Sequence, residues 1–120
     1  MSVIIKILGT LVAIEFVYIL YLETFATTSK RTAKVFNQTQ EELERPTVNA
    51  LLKNQGVYNG LIGGLILLAI FMYNSQPALL ILMIYTVLVA IYGGITSNPK
   101  IILLQGGVAM ITMIAIFIGL

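Results

Sequence analysis

Residues 2–24 read SVIIKILGTLVAIEFVYILYLET, an apolar run broken by Lys6 near one end and by Glu15 in its middle. About 20 apolar residues suffice to cross a hydrocarbon core roughly 30 Å thick, so this stretch is long enough to be a transmembrane helix. It is too long for a secretory leader, and no small-residue cleavage site follows Tyr21, Leu22 and Glu23, so a retained helix is expected. A carboxylate at the centre of such a helix costs roughly 2.5–3.5 kcal/mol on insertion scales and usually faces a protein interior or a wet cavity. Glu15 is therefore the first candidate functional residue.

The rest of the chain belongs to the same class. Of 120 residues, 58% are hydrophobic and 10% charged, and the mean hydropathy is +0.96, more apolar surface than a water-soluble core of this size could hide. Further apolar stretches lie near residues 54–73, 78–96 and 101–120. Pro46 suits a helical first turn, and Val48, Leu51, Leu52 and Gln55 recur at helical spacing, so the second helix is expected to begin before its span. The expectation is all-α: a single integral membrane domain over residues 1–120, a four-helix transmembrane bundle with helices at about 2–24, 46–73, 78–96 and 100–120.

Missing residue types prune the chemistry. The chain has no Cys and no His, and its five acidic residues are all glutamates, at positions 15, 23, 41, 42 and 44. Disulfides, haem, iron–sulfur clusters and ordinary zinc sites need thiolates or imidazoles, so no metal site and no cofactor is expected. Catalytic triads fail for want of a His or Cys, and no catalytic residue is assigned.

Charge is distributed unevenly. Lys30, Arg31, Lys34, Arg45 and Lys53 fall between or beside the first two spans and Lys100 lies in the third connection, against Lys6 and the amino terminus on the other side. The positive-inside rule then makes the long basic loop between helices 1 and 2 cytoplasmic and puts both termini outside. Such a loop suits anionic headgroups better than nucleic acid, of which there is no signature. Thr39 with Glu42 three residues on matches a capping box, so a short surface helix is expected there.

With that orientation, nearly every strong hydrogen-bonding side chain falls in one leaflet. At about 100° per residue, Glu15 and Tyr18 share a face of the first helix, and Gln55, Tyr58 and Asn59 share one on the second, next to Asn54. Tyr85, Val89, Tyr92 and Thr96 align on the third, and Gln105, Ala109 and Thr112 on the fourth. Unpaired polar groups cost several kcal/mol in lipid, so these stripes are expected to converge on a polar chamber closed on the outer side by aliphatic packing. The candidate ligand-binding set is Glu15, Tyr18, Asn54, Gln55, Tyr58, Asn59, Tyr92 and Gln105, with Tyr18, Tyr58 and Tyr92 facing Glu15. Amides between membrane helices also serve as simple packing glue. Glu23, near the headgroups, is read as solvated or Lys-paired. Gly56, Gly60 and Gly64, with Gly63 beside them, form a small-residue ridge, read as intramolecular packing with a homodimer contact as the alternative.

These segments carry a resemblance. Glu15-Phe16-Val17-Tyr18 with Tyr21-Leu22-Glu23, the run Asn54-Gln55-Gly56-Val57-Tyr58-Asn59-Gly60, Tyr92-Gly93-Gly94-Ile95-Thr96 and Gln105-Gly106 together resemble a small bacterial integral-membrane family, domain of unknown function 1304. The resemblance implies a four-helix membrane fold and no established activity. Many members have His after the first-helix acid, where this chain has Phe16, so a metal or proton relay built on that His has no counterpart here. Small multidrug-resistance transporters share the four spans and the acidic residue midway along the first, but this chain has a longer loop and no Trp to stack on an aromatic cation.

Three functions follow as expectations. The first is binding, with or without transport, of a small polar or cationic solute or lipid headgroup at a cytoplasm-facing pocket around Glu15, which could hold a proton when empty and release it when a cation binds. The second is a structural or partner subunit without a ligand of its own. The third, a lipid-modifying enzyme using Glu15 or Glu23 as base, is the least favoured, because acid–base catalysis leans so heavily on His.

Overall fold

A computed structural model describes all of residues 1–120. The protein is all-α, with four helices long and apolar enough to cross a membrane. Helix α1 (Val3–Leu20) continues into a π-helical turn, Tyr21–Phe25. The short helices α2 (Lys30–Val35) and α3 (Gln40–Glu44) precede α4 (Pro46–Leu67), which also ends in a π-helical turn, Leu68–Met72. Helices α5 (Gln76–Thr96) and α6 (Lys100–Phe117) complete the chain.

Local chemistry explains the boundaries. Ser2 caps α1 through its hydroxyl, which accepts from the Ile5 N–H at 3.2 Å, and Ser75 caps α5 the same way at Ala78. Pro46 opens α4, where a missing N–H costs nothing. Within the spans, the hydroxyls of Thr10, Thr86 and Thr112 donate to carbonyls four residues back, which satisfies them without a partner helix.

The segment between α1 and α4, expected as a long loop with one short helix, carries two. Thr39 does start a helix there, its hydroxyl accepting from the Glu42 N–H at 3.1 Å. Ser29 starts another, α2, by capping Thr32. The buried Thr32 hydroxyl ties α2 to the end of α1, reaching the carbonyls of Ala26 at 2.7 Å and Leu22 at 3.1 Å. Ser97 and Asn98, between α5 and α6, donate to the carbonyls of Phe36 and Val35, so α2 is fastened across the end of the bundle.

In packing order the spans run α4, α1, α6, α5, with α4 and α5 hardly touching beyond the turn that joins them. The molecule measures 47 × 27 × 18 Å, a bundle with an open seam. Its aliphatic core, including Val12, Phe16, Ile66, Ile70, Leu79, Met83 and Ala109, fills the part away from α2 and α3. Most other large apolar side chains point outward, as lipid-facing residues do.

Candidate functional site

The glycine ridge on α4 sets its register against α1. A Cβ on Gly56 would strike Thr24 and lie 3.0 Å from the Glu23 Cβ, one on Gly60 would meet Leu20 Cδ2 at 2.7 Å, and one on Gly63 would meet the Ala13 carbonyl oxygen at 3.1 Å. Gly64 faces open space and is not part of the contact. This register brings Glu23 level with Gln55 and Asn59, and leaves Glu15 two turns away.

Glu23 is accordingly not solvated and not paired with Lys. It has no exposed surface. Oε1 accepts from Asn59 Nδ2 at 2.6 Å and Oε2 from Gln55 Nε2 at 2.7 Å, while Thr27 donates to the Glu23 carbonyl at 2.7 Å. No cation reaches it, for the single ion pair in the chain joins Arg45 and Glu42 at 3.2 Å on the surface. The sequence signal for this cluster was the amide pair at i and i+4. Depth counted from helix ends points to Glu15 instead, because it ignores the glycine register and the wide turn at Tyr21–Phe25.

Glu15 turns toward α6 and α2. It lines a cavity of about 160 Å³ with Tyr18, Arg31, Phe36, Ile101 and Gln105 among its neighbours. Its Oε2 is buried and has no hydrogen-bond partner. Arg31, on α2, donates from Nε to the Tyr18 hydroxyl, and its Cζ lies 5.8 Å from the centroid of that ring. Arg31 and Phe36 escaped the sequence reading because only a folded α2 carries them over α1.

The remaining predicted residues sit elsewhere. Gln55, Tyr58, Asn59, Tyr92 and Gln105 line a second space, a cleft of about 680 Å³ between α4 and α5. Tyr58 and Tyr92 are 71% and 70% exposed and neither lines the Glu15 cavity, so of the three tyrosines expected to face Glu15 only Tyr18 does. Asn54 is exposed and lines neither space. Thr112 is buried and donates to the Val108 carbonyl of its own helix at 2.8 Å, and Thr96 donates to the Tyr92 carbonyl at 2.8 Å. The single chamber expected from the four stripes is thus two adjoining spaces that share Ile19, Phe36, Ile101 and Gln105.

Comparison with known proteins places this arrangement. The model of the family described as protein of unknown function, DUF1304, matches residues 10–117, which include both acids, the Asn54–Gly60 run and Gln105. The chain belongs to the DUF1304 family. It is 55% identical over 118 residues to the uncharacterized protein YpaA of Lactococcus lactis subsp. lactis (strain IL1403), covering 98% of this chain and 99% of that protein. No solved structure matches. Family and structure together make this a multi-pass membrane protein.

Proposed function

We propose that this DUF1304 protein binds a small cationic solute, or the ammonium group of a lipid headgroup, beside Glu15, in a space reached from the α2–α3 end of the bundle. That end carries Lys30, Arg31, Lys34, Arg45 and Lys100, and by the positive-inside rule it faces the cytoplasm. The observation that carries the reading is the bare Glu15 Oε2, withdrawn from the surface with no donor and no cation of the chain in ion-pair contact. A buried polar atom of this kind is costly until something donates to it. An ammonium ion would do so, with the face of Tyr18 as a second attraction. The cavity of about 160 Å³ is comparable to engineered cavities that hold benzene.

Arg31 marks the same preference from within, since it already sits over the Tyr18 ring. A cationic ligand would compete with it for that ring. Passage across the membrane requires, in addition, that the aliphatic core around Phe16, Met83 and Ala109 part; binding does not.

The test uses the full chain in nanodiscs, titrated with tetramethylammonium and with ethanolamine. A ligand that binds only the folded state raises Tm with concentration. The expected result is such a rise in the wild type, its loss in Glu15→Gln with helix content unchanged, and a larger rise in Arg31→Ala. Equal behaviour of wild type and Glu15→Gln would overturn the reading. The closed Glu23–Gln55–Asn59 cluster favours a second reading, a structural subunit whose polar layer fixes helix register. Under it neither amine shifts Tm, and an intact partner complex survives Glu15→Gln.

A further inference from the structure

The cleft between α4 and α5 adjoins the Glu15 cavity, sharing Ile19, Phe36, Ile101 and Gln105 with it, but has a different chemistry. No charged side chain lines it. Glu23, the nearest acid by contact, stands fully covered behind Gln55 and Asn59. Those two amides each spend one of two N–H groups on the Glu23 carboxyl, so each keeps a second N–H as donor and a carbonyl oxygen as acceptor. Thr96 and Ser97 likewise spend their hydrogens on the carbonyls of Tyr92 and Phe36, leaving oxygen lone pairs. The phenols of Tyr58, Tyr85 and Tyr92 enter no hydrogen bond and both donate and accept, while Gln38 and Gln105 add amide donors.

A phosphate or carboxylate would find no cation in this lining. An ammonium would find no carboxylate in contact and would leave the Gln38 and Gln105 N–H groups without acceptors. Hydroxyl groups, which donate and accept at one atom, match the whole set, and the tyrosine rings supply apolar faces for the C–H side of a pyranose. From Thr96 to Tyr85 the cleft descends about 16 Å along α5, roughly one leaflet of a hydrocarbon core about 30 Å thick. Because α4 and α5 hardly touch, it lies at a seam in the bundle wall.

We propose that this cleft binds an uncharged polyhydroxyl group, either a free sugar or the glycosyl headgroup of a lipid. The proposal does not rest on the Glu15 reading.

The experiment purifies the full chain in a detergent without a sugar headgroup and transfers it to phosphatidylcholine nanodiscs. One arm adds maltose, a second includes diglucosyl diacylglycerol in the disc, and a control disc includes phosphatidylglycerol. Tm and amide exchange along α4 and α5 are read. A rise in Tm with protection of both helices in the maltose arm identifies a free sugar, and in the glycolipid arm alone a headgroup. In either case the double variant Tyr58→Phe, Tyr92→Phe, whose rings are exposed and whose packing is preserved, should bind about tenfold more weakly, and Glu15→Gln should bind as wild type. No shift with either glycosyl compound, an equal shift with phosphatidylglycerol, or unchanged affinity in the double variant would overturn the proposal.

Discussion

Two glutamates on one helix meet opposite fates. Glu23 has both oxygens on amide donors at 2.6 and 2.7 Å, whereas Glu15 has a buried oxygen with none. Their substitutions should therefore differ in sign. In Glu23→Gln one oxygen becomes an NH₂ facing another amide donor, which should cost about 1–3 kcal/mol, visible as a lower Tm. Glu15→Gln removes an unsatisfied acid and should leave Tm unchanged or higher. Equal destabilisation by both would mean that Glu15 is held by protein contacts after all. Glu15 was singled out in the sequence by its depth in an apolar run. Glu23 was misjudged from the same cue, because closeness to a helix end says nothing of what covers that end, and here α4 and Thr27 cover it.

At the level of elements, the α1–α4 contact depends on absent side chains. Gly56→Ala pushes a methyl into Thr24 and Glu23 and should destabilise by about 1–3 kcal/mol. Gly64→Ala meets nothing and should be neutral or stabilising by up to about 1 kcal/mol through helix propensity. Thermal denaturation of the two variants separates a packing ridge from a mere run of glycines. The spacing of four was legible in the sequence, but which of Gly63 and Gly64 faces α1 was not, since both fit a helical stripe. Thr32→Val should release α2, removing the hydroxyl contacts to Leu22 and Ala26; faster amide exchange over residues 30–35 with little change in the spans would show it. Helix α2 itself lacks the Glu or Gln that completes a capping box, so its Ser29 cap could not be told from any loop serine.

For the whole molecule, hydropathy was enough to find four spans, because lipid demands length and apolarity whatever the neighbours are. It could not give their packing order, since each helix is apolar on most of its faces. The stripes of Gln55, Tyr58 and Tyr92 were read as inward-facing on the assumption of a closed bundle. The seam between α4 and α5 instead gives them a cleft of their own. The orientation proposed from the basic α2–α3 end is simple to check, because the chain has no native cysteine. A single cysteine at the exposed Glu41 should resist an impermeant thiol reagent in intact cells and one at Tyr73 should react; the reverse pattern would invert the assignment.

On the reading proposed above, Glu15 faces a water-reachable, protein-lined space and not acyl chains. Single cysteines at Glu15 and at its neighbour Ile14, which is 58% exposed on the lipid side, can be compared in nanodiscs for reaction with a small cationic thiol reagent. Glu15→Cys should react, and react more slowly once tetramethylammonium is present, while Ile14→Cys should stay unmodified. An inert Glu15→Cys, or equal reactivity at the two positions, would contradict that reading.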